Sequence, residues 1–362
     1  MNQTSKRSIE IDFFRGFALL AIALDHMPAS VLSHGMLHTF AYCDSAEVFV
    51  FVSGYVAAAS WLAIAAKKGA GAANRRFWRR GRELYAAYLC AAALMLLSGA
   101  AAVALHVDSP LVADSGFQRF VAHPFAMLGN VAVFRDQPWL AGVLPLYVIL
   151  VLAVPALMPL ARRLPDVALL GSFGIWLGGC WLVRYLPAVP GSNWPFNPFA
   201  WQAMFMLGLL CRLYPVSAAF QVSRLGRALT VLACALVVLF AAMKLFVDLE
   251  PQPGYMKQNL ASLRIVSFGA VAWLAAQAVR LGWIGWLARR LPGVATVGQQ
   301  GLVCFVGGAL VSNAIDTLLR ATHVSAFWSA RLAGDLLAIG ALLVLAGGVR
   351  RWKGERSRVA LT

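Results

Sequence analysis

Carboxylates are scarce in this chain: 15 Asp and Glu stand among 362 residues, and charged residues of both signs make up only 13%. So little charge beside 60% hydrophobic residues and a mean hydropathy of +0.72 excludes an ordinary soluble domain of average composition. Cysteine occurs six times, at Cys43, Cys90, Cys180, Cys211, Cys234 and Cys304, but in no CxxC and at no Cys/His spacing suited to zinc, so no metal site is expected. Most of these cysteines fall inside apolar runs and read as small buried residues. There is no low-complexity tract, no short-period repeat and no stretch that reads as a soluble domain, so the chain reads as one domain over 1–362. The first apolar run follows a basic pair, as in a signal peptide. It contains Asp12, Arg15, Asp25 and His26 and lacks a convincing cleavage site, which argues for an uncleaved first helix.

What the chain does have is long apolar runs. A bilayer-spanning helix needs roughly 20 predominantly apolar residues, and about ten such runs are present, near 11–30, 46–66, 84–105, 139–160, 168–186, 198–215, 228–248, 260–280, 297–318 and 328–349. The expected fold is an all-α polytopic membrane protein with about ten transmembrane helices and both termini cytoplasmic. The net charge of +16 would suggest nucleic acid in a soluble protein; here the positions of Lys and Arg set orientation instead. Lys6 and Arg7, the run "KKGAGAANRRFWRRGR" at 67–82, Arg162 and Arg163, Arg212, Arg224 and Arg227, Arg280, Arg289 and Arg290, and "RRWKGERSR" at 350–358 all fall on one side of the ten-span arrangement. These segments read as cytoplasmic loops and ends. Membrane lipid is then an expected partner and nucleic acid is not. An anionic lipid surface or an anionic cytosolic substrate such as a coenzyme is the second reading of the basic excess.

Ionisable residues inside a membrane are costly and are functional candidates by default. Arg15 and His26 are eleven residues apart in "RGFALLAIALDHMPAS", which returns them to nearly one helix face three turns apart, roughly 16 Å along the axis. Asp12 lies one turn before Arg15 on nearly the same face. The stripe should look into the bundle and not into lipid. An Asp12–Arg15 ion pair with a capping Asp25 is the purely structural alternative, and it leaves His26 unexplained. In "SAEVFVFVSGYVAAAS", Glu47 and Gly54 share a face, and Ser53 with Gly54 equally suits a small-residue packing notch. His34, His38, Asp44, Ser45 and Glu47 gather titratable groups at the mouth beyond His26. Asn197 before Pro198 reads as a helix cap, and Trp194 and Trp201 suit an aromatic belt. Lys244 with Asp248 and Arg331 with Asp335, each four apart, read as neutralising pairs.

The segments "EIDFFRGFALLAIALDHMP", "SAEVFVFVSGYVAA", "LPLYVILVLAVP" and "FNPFAWQAMFMLG", with arginine-rich short loops between spans, resemble the OpgC family, membrane proteins that succinylate osmoregulated periplasmic glucans. More distantly, the spacing from Arg15 to His26 resembles the integral-membrane acyltransferase type-three superfamily. Where relatives show a polar "LGR-SL-VF-H" pattern late in the chain, this one has "VGQQGLVCFVGGALV", with no histidine following Phe305 in that stretch. The resemblance implies a multi-pass protein of the bacterial inner membrane that moves an acyl group from cytosolic acyl-coenzyme A, with succinyl-coenzyme A as the expected donor, to hydroxyls of a periplasmic glucan acceptor. No tightly bound cofactor is implied.

On that reading His26 is the general base that takes the sugar hydroxyl's proton, and Glu47, or alternatively Asp25, orients its imidazole. Arg15 holds an anionic part of the donor, with Asp12 beside it, and Arg75, Arg76, Arg79 and Arg80 of the basic run stay near the coenzyme phosphates. His38, Ser53, Trp194, Asn197 and Gln202 are the expected substrate-binding residues. Other readings from the same residues are an acetyltransferase for another envelope polysaccharide, a transporter or flippase of envelope precursors, and a non-catalytic partner of a glucan synthase. A transporter often repeats its broken helices in two halves, and no echo of the first-helix stripe is found in the second half. The acyl chain, the acylated hydroxyl and the oligomeric state are left open.

Overall fold

The computed structural model describes residues 8–107, 112, 115–190, 192–248 and 252–359, so Lys6 and Arg7 lie outside the described residues. Helix is the only repetitive structure among the described residues. That is what a hydrocarbon solvent demands, since a spanning segment must close its backbone hydrogen bonds within itself. The helices that build the bundle are α1 (Ile9–Asp25), α2 (Ser45–Lys68), α3 (Ala70–Ala104), α4 (Val143–Arg163), α5 (Pro165–Leu177), α6 (Pro198–Leu213), α7 (Arg224–Phe246), α8 (Ser262–Arg280), α9 (Pro292–Gln299), α10 (Gly301–Ala321) and α11 (Trp328–Val359).

Each of the ten apolar runs is helical, but fewer than ten meet a strict spanning length. Among the described residues, α2, α3, α4, α7, α8, α10 and α11 are each long and apolar enough to cross a membrane, and α5 with its continuation Gly179–Tyr185 makes an eighth, bent by 56°. The runs at 11–30 and 198–215 become α1 and α6, of 17 and 16 residues. Their ends explain the shortfall: α1 stops at the cap His26 just before Pro28, and α6 starts at the Asn197 cap and Pro198.

The basic stretch at 67–82, expected as a loop, is instead the first part of the 35-residue α3. Gly69, at φ +79°, supplies the left-handed turn that ends α2, and the helix restarts at once. Arg76, Arg79 and Arg80 then converge on Glu83 at 3.2, 3.2 and 3.1 Å, so the acid one to two turns on offsets their mutual repulsion. The run at 297–318 is broken at Gln300 into α9 and α10.

Two glycine pairs bring helices into backbone contact. A Cβ on Gly54 would overlap the Phe205 carbonyl and one on Gly208 the Phe51 carbonyl, which locks α2 against α6; Gly16 against Val294 and Gly298 against Asp12 do the same for α1 and α9. Gly54 is thus a packing notch. The centre is filled by Trp201, Phe205, Met204, Leu146 and Leu19, all nearly inaccessible, while α7 is a rim helix with only 11% of its apolar window buried.

Three expectations are corrected. Of the cysteines only Cys43 and Cys304 are buried; Cys90, Cys180 and Cys234 are exposed on the bundle's outer surface, where a small apolar thiol is compatible with lipid. Asp248 accepts from the Tyr42 hydroxyl, with the Lys244 ammonium over the same ring. Asp335 does not pair with Arg331 but accepts from the Val31 and Leu32 amides at 2.9 and 2.8 Å, pinning the turn after α1 to α11.

Candidate active site

The polar stripe of α1 opens into two cavities, one near each end. Toward the end where the basic segments gather, Arg15 lines a cavity of about 400 Å³. Ser53, Val56, Ala57 and Ser60 line it from α2, Arg76 and Arg80 from α3, Gln299 and Gln300 at the α9–α10 break, and Lys353 from α11. Four cations therefore surround one space: Arg15, Arg76, Arg80 and Lys353. The glycine that opens α10 is what admits Arg15, because a Cβ on Gly301 would come 2.7 Å from its guanidinium. Gln300 accepts from the Lys353 ammonium at 2.7 Å, and the amino-terminal end of α10 adds its positive dipole end to the same wall.

At the opposite end His26, the half-buried cap of α1, lines a second cavity of about 610 Å³ with Gln118, Arg119, Asp136, Gln137, Trp194 and Lys257 among its walls. The two cavities have no lining residue in common. His26 is therefore neither turned to lipid nor sealed in a dry core. Arg119 pairs with Asp136 at 3.1 Å. Trp194 donates from Nε1 to the Pro187 carbonyl at 3.0 Å and presents its ring to the cavity.

Behind His26 lies a four-charge network, buried except for Lys257. Asp44 Oδ2 accepts from Lys257 at 2.7 Å and from Arg264 Nη2 at 3.0 Å; Glu47 Oε1 accepts from Arg264 Nε at 2.6 Å. Asp44 and Glu47 are also the two halves of a capping box, since Glu47 Oε2 accepts the Asp44 amide at 2.8 Å and Asp44 accepts the Ala46 amide at 2.7 Å. Burial opposes ionisation of Asp44, but the Lys257 ammonium and Arg264 guanidinium outweigh it and hold the carboxyl well below the usual carboxylate range. The charged groups that act on His26 are Lys257 and Asp44.

These placements revise several expected roles. Glu47 is held by Arg264 and the Asp44 amide and does not orient His26. Asp25 points away and meets His38 Nδ1 at 3.3 Å, which puts His38 outside the cavity as well. Ser53 lines the Arg15 cavity and not the His26 one. Asp12 accepts from Gln299 Nε2 at 3.2 Å and supports the cavity wall from behind. Arg76 and Arg80 face the Arg15 cavity; Arg75 and Arg79, on the same stretch of α3, do not line it. Asn197 is buried, caps α6, and donates to the Gly179 carbonyl and Asn259; Gln202 donates to the Ser172 carbonyl and accepts from the Ser172 hydroxyl. Neither lines either of these two cavities.

The "FNPFAWQ" motif acts instead as a clamp. The Asn197 amide donates to the Gln258 carbonyl, and Trp201 Nε1 donates to the Lys257 and Gln258 carbonyls at 3.0 and 3.1 Å, which fixes the segment that brings Lys257 beside His26. Residues missed in sequence are Lys257, Arg119, Asp136 and Gln137, along with Lys353 and the Gln299–Gly301 break. Only the last left a signal, a polar Gly-Gln-Gln-Gly interruption opening an apolar run.

No curated protein and no solved structure matched the chain. The sequence model of the OpgC protein family matches residues 7–354, which take in the Arg15–His26 stripe and both cavities, so the chain belongs to the OpgC family, a membership that points to a membrane acyltransferase.

Proposed function

We propose that the chain is a transmembrane O-acyltransferase that carries a succinyl group from succinyl-coenzyme A to hydroxyls of periplasmic glucans. The observation that carries this reading is that Arg15 and His26, three turns apart on α1, open into two separate cavities of different character. The positive-inside rule supports a cytoplasmic placement of the basic end, and the family resemblance supports a setting in the bacterial inner membrane. The four cations of the inner cavity suit a donor rich in phosphate, with Arg15 deep enough to meet an anionic group on its arm. The outer cavity, with Trp194, Gln118 and Gln137 in its walls, suits a sugar ring that needs an aromatic face and hydrogen-bonding partners.

In the transfer step the donor arm extends from the Arg15 cavity to bring its thioester carbonyl beside His26, where the glucan hydroxyl oxygen attacks it while the imidazole takes the hydroxyl proton. The new C–O bond forms, the C–S bond breaks, and His26 returns the proton to the leaving thiolate. A positioned base contributes on the order of a hundredfold or more to such a step.

Purified protein in liposomes, given succinyl-coenzyme A with and without glucan, tests the reading through release of free coenzyme A and mass of the glucan. Glucan-dependent thiol release that His26→Ala abolishes, in a protein that still elutes as folded material, supports it. Transport of glucan or lipid precursor with no thiol release would replace it by a carrier function, and full turnover by His26→Ala would remove His26 as the base. Acetyl-coenzyme A run in parallel separates the succinyl from the acetyl reading.

A further inference from the structure

One polar group in the inner cavity has no part in the transfer step. Tyr147, on α4, is buried, and its ring meets Phe49 edge-on at 5.4 Å, while Phe49 stacks on Phe305 at 6.3 Å. The three rings line one cavity. The Tyr147 hydroxyl sits beside the Ser53 hydroxyl and within reach of the Arg15 charge, with no hydrogen bond of good geometry closed to any neighbour. A buried tyrosine hydroxyl ordinarily finds a partner, because the hydrogen bonds it made to water are lost on burial. Ser53, half-buried on the facing wall of α2, presents a second hydroxyl to the same space.

The cavity's shape says what could supply the partner. Its α2 wall runs from Phe49 through Ser53 and Val56 to Ser60, about 16 Å along the helix. Arg76, Arg80 and Lys353 stand at the basic end, Leu84 and Val151 add apolar wall, and the Tyr147 and Ser53 hydroxyls lie toward the Phe49 end of the α2 wall. Cations toward one end, apolar wall between and two hydroxyls toward the other fit a chain with an anionic head and amide groups along its length. A plain hydrocarbon chain would leave both hydroxyls unused.

We propose that Tyr147, together with Ser53, is a donor-positioning residue that holds an amide of the pantetheine arm: the tyrosine hydroxyl donates to the amide carbonyl, and Ser53 Oγ accepts from the amide N–H. The assignment rests on the coenzyme A reading above. It gives the arm a fixed depth in the bundle between the phosphate end and His26.

Tyr147→Phe tests it, since it keeps the ring contact with Phe49 and removes only the hydroxyl oxygen. The melting temperature of ligand-free protein is expected to stay level or rise. Affinity for coenzyme A should fall about tenfold, equivalent to about 1.4 kcal/mol, and Tyr147→Phe combined with Ser53→Ala should lower it further. Affinity for adenosine bisphosphate, which carries phosphates without the arm, should not change. Undiminished coenzyme A affinity in Tyr147→Phe overturns the assignment, as does an equal loss for both ligands, which would mark a general structural effect. A wild-type protein that binds neither ligand would overturn the donor reading of the cavity itself, and this assignment with it.

Discussion

Removing the Glu47 side chain should cost the fold more than it costs the chemistry. The side chain is fully buried, with one oxygen 2.6 Å from Arg264 Nε and the other 2.8 Å from the Asp44 amide. In Glu47→Ala the Arg264 guanidinium, itself only 8% exposed, keeps Asp44 as its counter-ion, and Asp44 is already shared with Lys257. Deleting one partner of a buried ion pair costs about 3–5 kcal/mol, and an orphaned buried amide adds about 1–3 kcal/mol. Water entering from the His26 cavity past the half-exposed Lys257 relieves part of both, so the net expectation is about 4 kcal/mol. Thermal unfolding in detergent, followed by tryptophan fluorescence, should show a melting temperature lower by many degrees. Much of the loss should return in Glu47→Leu with Arg264→Met, which removes both charges and fills the space with apolar atoms. An unchanged melting temperature in Glu47→Ala with loss of transfer alone would refute this account and restore Glu47 as the residue that orients His26. A double variant no more stable than the single one would show that the ion pair is not the source of the cost.

Arg15→Ala should raise the donor KM at least tenfold with little change in the glucan KM, measured by thiol release; equal donor KM values would take Arg15 out of the donor path. Gly208→Val should prevent α2 and α6 from meeting, because the new side chain would occupy the place of the Phe51 carbonyl; recovery of folded, monodisperse protein from membranes at the wild-type level would contradict that contact. Asp44, whose folded carboxyl is held below its unfolded value, adds stability that is present above about pH 4 and lost as pH falls further. Asp44→Asn should therefore melt lower than wild type near neutrality and show a flatter loss on acidification, and a wild-type melting temperature flat down to about pH 2 would contradict the ion pairing.

Hydropathy alone placed ten helical runs, because the penalty for an unpaired backbone group in hydrocarbon is large and local and so can be read from a single segment. The 3.6-residue period likewise sufficed to put Arg15 and His26 on one stripe, and small residues marked Gly54 as a notch. What lies across from each residue was not legible. Glu47 and Arg264 are separated by more than two hundred positions, and nothing in either neighbourhood announces the other. The motif "FNPFAWQ" looked like a sugar-binding mouth because its composition suits one, yet its polar atoms are consumed by Gly179, Ser172 and the 257–259 segment.

The sequence by itself determined that this chain is a helical membrane protein, which of its ends are basic, and that its first helix carries an arginine and a histidine too far apart to touch. Those properties follow from side-chain transfer energies and helical periodicity, both of which act within one segment. Only the tertiary structure decided that the arginine and the histidine look into two cavities, that the break at Gln300 opens one of them, and that Lys257 stands beside the imidazole. Each of these depends on which helices pack together, and packing is a sum over distant surfaces that no local stretch of sequence contains.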